Sequence, residues 1–141
     1  MIDAQLPLQA AIVAVVKASD VLKGLVADRI YDRVPTDTAG KVSATFPYLS
    51  FGPFSTDGLG GSCDTGQDIY VQIDGWSRAV GTVEAKRINA ALMAVLLAPF
   101  PVEGFQITLA RLAMPMTVQP GRDGLTSQSI LRLRFSLSPS A

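Results

Sequence analysis

Ile69-Tyr-Val-Gln-Ile-Asp-Gly-Trp76, then a short break, then Thr82-Val-Glu-Ala-Lys-Arg-Ile-Asn-Ala-Ala-Leu-Met-Ala-Val-Leu-Leu97: a strand-like stretch feeding a helix-like one decides the architecture of this 141-residue chain. In the first, Ile69, Val71 and Ile73 alternate with Tyr70, Gln72 and Asp74, the two-residue period of a half-buried strand. In the second, Ala85, Ile88, Leu92, Val95 and Leu96 share one helical face, with Lys86, Arg87 and Asn89 outside it. Thr82 is the expected N-cap, Glu84 complements the helix dipole, and Pro99 and Pro101 stop the helix. Gly75 marks an expected bulge before Trp76.

Downstream, Phe105, Ile107 and Leu109 alternate with Gln106, Thr108 and Ala110, which predicts a strand over 105–112. Ser129 to Leu137 is the clearest strand, with Leu131, Leu133, Phe135 and Leu137 facing the core and Arg132, Arg134 and Ser136 facing out. Ala113 to Leu125 carries Pro115, Pro120, Gly121 and Gly124 and reads as a long loop. Upstream, Phe46 to Phe54 alternates loosely and is closed as a strand by Gly52-Pro53. Ser55 to Gln67 holds Gly58, Gly60, Gly61 and Gly66 and reads as a flexible hairpin connection. Pro7 to Ala18 predicts a helix, with Leu8, Ile12, Val15 and Ser19 on one face and small residues (Ala10, Ala11, Ala14) where another element can pack closely. Val21 to Ile30 adds a short helical stretch, with Leu22, Leu25 and Val26 inward and Ser19-Asp20 as N-cap. Tyr31 to Pro35 is extended ahead of proline, and Thr36 to Thr45 is a polar loop.

This order predicts an α+β fold with one domain over 1–141. The architecture is a two-layer sandwich: an antiparallel or mixed sheet of about four strands, with two main helices packed on one face. Trp76, Leu133 and Phe135 are expected in the core.

Hydrophobic residues make up 48% of the chain and charged ones 17%, below the usual share of about a quarter. Part of the surface is therefore expected to lie under copies of the chain or under partners. Twelve basic and twelve acidic residues cancel, which leaves no excess to neutralise a phosphate backbone. Cys63 is the single cysteine. It can form no intramolecular bridge, fits a reducing compartment, and with no histidine to activate it reads as an incidental loop residue. The apolar run from Ala10 to Val16 is no signal peptide, since Asp3 stands where a positive region belongs and Lys17 ends the run. No run approaches the roughly 20 apolar residues of a membrane span, so a soluble chain without a membrane partner is expected.

Few motifs could carry chemistry. Asp64-Thr65-Gly66 matches the short motif of aspartic proteases, but that mechanism needs paired aspartates on buried turns, and here the triplet sits in a glycine-rich loop. Gly58-Leu-Gly-Gly61 leads into a strand and not a helix, so it lacks the amides of a phosphate cradle. Asp57, Asp64 and Asp68 do not have the alternating spacing of a calcium loop and read as solvated carboxylates. No catalytic residue, metal ligand or cofactor site is expected. Arg132 and Arg134 read first as charges that keep an outer face from sticking, and second as a subunit interface or channel wall. Met114-Pro-Met116 reads as an adaptable contact patch or as loop residues tucked under the core. The candidate partner-contact residues are Asp57, Leu59, Asp64, Met114, Met116, Arg122, Arg132 and Arg134.

Several of these features occur together in a known order. An N-terminal helix precedes Ile30-Tyr-Asp-Arg-Val-Pro35 and Phe46-Pro-Tyr-Leu-Ser-Phe-Gly52. A glycine-rich loop follows, then Asp74-Gly-Trp-Ser77, Gly81 to Leu97 with Glu84-Ala85, and Asp123-Gly-Leu before the last strand. From about Leu8 to Leu137 the chain resembles the tail-completion or tail-terminator proteins of long-tailed phages, prophages and gene transfer agents. The resemblance implies a homo-oligomeric, hexameric ring at the head-proximal end of a virion tail, assembled in the bacterial cytoplasm. Such a ring caps the tail tube protein and joins it to head-tail connector proteins, with DNA only passing through its channel. It implies no catalytic residues; Pro35 and Pro47 set extended entry to the first strand, and Trp76 covers the end of the core. A connector protein of the same assembly is the alternative, and an enzyme built on Asp64 a remote one.

Overall fold

The computed structural model describes residues 2–58 and 66–140. In chain order these form α1 (Gln5–Ala18), α2 (Asp20–Val26), β1 (Ile30–Tyr31), β2 (Tyr48–Gly58), β3 (Gln67–Ser77), α3 (Val83–Leu96), β4 (Phe105–Leu112), β5 (Thr117–Pro120) and β6 (Ser127–Pro139). One mixed sheet runs β1-β2-β3-β6-β4, and β5 also pairs with β6. Only the β1–β2 pair is parallel. The α+β class is as expected, but the sheet has six strands and not about four. The additions are β1, two residues long, and β5, four residues long, too short to leave a periodic signal.

The strongest periodicity gives the centre of the sheet. β3 and β6 pair without interruption from Gln67↔Leu137 to Ser77↔Ser127, and their inward residues Ile69, Val71, Ile73, Leu131, Leu133 and Phe135 have no exposed surface. α3 packs on β3 and β6, α1 on α3 and β2, and α2 on the other two helices. The N-terminus is tied to the sheet by the buried Gln67 amide, which accepts from the Ala4 N–H at 3.0 Å and donates to the Ile2 carbonyl at 2.8 Å.

Several local readings are corrected by packing. β2 does not end at Gly52-Pro53. The register shifts between Phe51 and Phe54, a bulge that accommodates a proline lacking its N–H, and pairing continues to Gly58↔Gln67. Thus Ser55 to Gly58 and Gln67 are strand and not loop, while residues 59–65 lie outside the described residues. Gly75 is no bulge, since pairing runs through it on both sides. A Cβ there would run into the Ser129 hydroxyl and stand 2.9 Å from Ile88 Cγ2, so the glycine lets α3 settle on the sheet.

The extra residue falls in β4 instead, between Ile107 and Leu109. It swaps the predicted faces: Leu109 is 39% exposed, while Ala110 packs on the core. On α1 the buried stripe is Leu8, Ile12 and Val16, not Val15 and Ser19. Ser19 caps α2 as predicted, its Oγ accepting from the Leu22 N–H at 3.3 Å. That helix stops at Val26, where Ala27 takes φ 55°, and does not run to Ile30. Thr82 holds the N-cap position of α3 without a side-chain hydrogen bond. Asn89 lies on the buried side of α3, 2% exposed, with no side-chain hydrogen bond among the described residues.

Candidate functional site

Among the described residues no helix covers the other side of the sheet, although Tyr48, Ser50, Asp68 and Asp74 on that side are buried by neighbouring side chains and loops. Strand register sets out its contents as cross-strand rows. Asp57, Asp68, Ser136 and Leu109 form one row, Ser55, Tyr70, Arg134 and Arg111 the next. Gln72 stands opposite Arg132; Ser50, Asp74, Ile130 and Thr117 follow, then Tyr48, Trp76, Gln128 and Gln119. This face is polar where the other is apolar, and it holds three arginines.

Its charges are not equivalent. Asp68 is buried, and its carboxylate accepts from Arg134 Nη2 at 2.7 Å and from the Ser136 hydroxyl at 2.5 Å. Arg134 is therefore held inside the sheet and is not a free contact group. Arg111 stands directly opposite it, exposed, and like charges in that position gain nothing from each other. Arg111 and Arg132 appear in no ion pair among the described residues.

Asp74 accepts from Gln72 Nε2 at 3.1 Å and Gln128 Nε2 at 3.4 Å. Burial pushes its carboxyl above the usual range, and the two amides only partly offset this. A carboxyl with a raised folded pKa favours folding below its unfolded value, and that contribution is lost as pH rises through the folded value. Asp74→Asn is therefore expected to melt higher than wild type at pH 7, the gap closing below about pH 4. Thermal melts across that range check this. An unchanged or lower melting temperature at pH 7 would show that the charged carboxylate helps hold the sheet together.

At the lower end of the face, Phe46 and Tyr48 (4.9 Å between centroids) and Trp76 form an aromatic cluster. The Trp76 indole donates to Ser50 Oγ at 2.9 Å. Trp76 is thus half-buried on the uncovered face, not sealed in the core as predicted. Arg78 lies 4.1 Å over the Phe46 ring, and the rings border a cleft of about 420 Å³ closed by Arg122, Asp123 and Thr126. Asp123 caps the turn before β6: it accepts from the Thr126 hydroxyl at 2.6 Å and from the Thr126 and Leu125 N–H groups at 2.8 and 3.0 Å. These bonds, the hydroxyl's first, hold its carboxyl down to about 2. The turn's stabilisation is fully present above the ordinary carboxylate range and is lost progressively as pH falls from there through about 2.

The predicted contact residues separate. Arg132 and Arg134 share the uncovered face, with Asp57 at its end in strand β2 and not in a loop. Asp68 is a buried strand residue, not a solvated carboxylate. Met114 and Met116 are 43% and 42% exposed between β4 and β5, and Arg122 is exposed at the Asp123 turn. The segment 113–125 is therefore not one long loop but a short link, a strand and a capped turn. Leu59 and Asp64, together with Cys63 and the triplet's Thr65, lie outside the described residues. Among the described residues, no group of three potential ligands could hold a metal ion. Sequence reasoning missed Arg111, because simple alternation from Phe105 puts it inside; only the bulge turns it out.

Residues 10–137 match the family model described as tail completion protein gp17. No curated protein sequence matches the chain. Solved structures share its fold, two of them as follows. A chain of the virion of the native gene transfer agent particle is 22% identical, with TM-score 0.82, over 97% of this chain and 98% of that one. Bacteriophage SPP1 gp17 protein is 24% identical, with TM-score 0.60, over 92% of this chain and 88% of that one.

Proposed function

We infer the role of this chain from the premise that it belongs to the tail completion protein gp17 family, whose model spans residues 10–137. It is a structural protein that completes a phage-like tail, and that family match is the observation carrying the conclusion. In the finer reading the chain works as one unit in a ring, most simply of six copies, at the head-proximal end of the tail. The ring caps the tube and receives the connector of the head. It performs no catalysis and meets DNA only as DNA passes through its channel, in keeping with a net charge of zero.

The sheet face without a helix supports this reading, since Arg111 and Arg132, in no ion pair among the described residues, give it a polar contact surface. Met114 and Met116 extend it at one edge with adaptable apolar side chains. Particle-producing cells lacking the chain are expected to accumulate unjoined heads and tails. Wild type restores joining, whereas Arg111→Glu with Arg132→Glu, or Met114→Asp with Met116→Asp, lowers joined particles by roughly tenfold or more, one reversed contact being worth at least about 1.4 kcal/mol. Each variant should fold, because neither set includes an internally bonded residue. Joining at wild-type levels by both would remove this surface from the assembly. Joined particles in cells without the chain would overturn the role itself.

A further inference from the structure

α1 is poor in polar residues: over Gln5–Ala18 only Gln5, Gln9 and Lys17 are polar, and Lys17, in the last turn, is the one charged residue. Leu8, Ile12 and Val16 face the core, yet Ala10 and Ala14 are exposed on the far side, Leu6 is 75% exposed, and Ile2, just before the helix, is 80% exposed. Apolar side chains left exposed beside a buried stripe mark a surface that another surface covers. The helix is too short to span a bilayer: it has 14 residues, about 21 Å at 1.5 Å per residue, against a hydrocarbon core near 30 Å.

A second observation, independent of the first, lies on the opposite flank. α3 covers β3 and β6 but not β4 to any comparable extent, and β4 is the last strand of the sheet. Between β4 and the chain leaving α3 runs a groove of about 690 Å³, lined by residues such as Leu97, Phe100, Phe105, Ile107 and Ala110, none of them charged. A groove without charge at a sheet edge suits an uncharged helix face, and the small side chains of Ala10 and Ala14 allow its close approach. α1 sits on the β2 side of the molecule and the groove on the β4 side. One copy therefore presents the helix face and the next presents the groove, a head-to-tail contact of the kind that closes into rings.

We propose that the groove beside β4 receives the outer face of α1 from a second copy of this chain, and that this contact is the repeating joint of the assembly. The proposal rests on the ring reading given above, and its test separates the two. In a Cys63→Ser background, Ala10→Cys and Thr108→Cys chains mixed together are expected to cross-link on oxidation. Neither chain should cross-link alone, because the two surfaces differ. Ala10→Glu and Thr108→Glu, both at exposed positions and measured by light scattering alongside far-ultraviolet circular dichroism, should each stay folded while self-association weakens by about a hundredfold. If wild type forms rings and Ala10→Glu forms them equally well, the joint lies elsewhere and the ring reading stands. If Ala10→Cys chains cross-link to one another, the contact is helix to helix and the proposal falls. If Thr108→Glu rings persist but no longer hold tail tubes, the groove belongs to the tube and the proposal falls. If wild type remains monomeric at every concentration and on tail tubes, the ring reading falls and the proposal with it.

Discussion

Phe135→Ala is expected to cost about 3–5 kcal/mol, the range for removing a fully buried aromatic side chain whose site cannot collapse. Phe135 has no exposed surface. It sits on β6 with Ile69 opposite on β3 and Ala110 opposite on β4, so the backbone on both sides is fixed by ladder hydrogen bonds and cannot close the void. Phe100 meets its ring edge to face, with centroids 5.8 Å apart, and truncation forfeits that contact as well. For a domain of this size the melting temperature should fall by roughly 10–20 °C. Phe135→Leu, which refills most of the volume, should fall much less. A drop of under about 5 °C for Phe135→Ala would mean that the site relaxes around the gap.

Asp68→Ala should be the next most damaging single change, and here the loss is electrostatic. The Asp68 side chain is 5% exposed and that of Arg134 27% exposed. Removing the carboxylate leaves the guanidinium without its charge partner and the Ser136 hydroxyl without its acceptor. Arg134 Nε is already buried without a hydrogen-bond partner among the described residues. Breaking a fully buried pair costs about 3–5 kcal/mol; since the guanidinium keeps some contact with water, about 2–3 kcal/mol is expected. Denaturant unfolding of Asp68→Ala, Arg134→Leu and the double variant checks this. The double variant should recover much of the loss, because the stranded charge is then gone. A cost within about 0.5 kcal/mol for Asp68→Ala would class the pair as ordinary surface charge.

The two changes also mark where the sequence was legible. Phe135 lies in an unbroken alternation of large apolar residues with polar ones, and alternation of that length admits one placement, so its burial could be read directly. Asp68 lies beside the glycine-rich stretch and carries no such signal. Its carboxylate becomes structural only because Arg134 and Ser136, far along the chain, arrive on the adjacent strand. The arginines read as outward from β6 are outward, yet one is occupied and one is not, a distinction that period alone cannot make. Arg111 needed the bulge after Ile107, and Trp76 needed the knowledge that no second layer covers its face.

By itself, the sequence determined the α+β class, the two long central strands, the helix that packs on them, and the low share of charged residues. These depend on local periodicity and composition, which each segment carries whatever surrounds it. Only the tertiary structure decided the short strands β1 and β5, the bulges in β2 and β4, the close approach at Gly75 and the division of the arginines into held and free. It alone set an exposed helix face of small and apolar residues, with Lys17 at its end, on one flank and an uncharged groove on the other. Such features arise from contacts between residues tens of positions apart, whose geometry is fixed when the layers pack and is written in no single stretch of the chain.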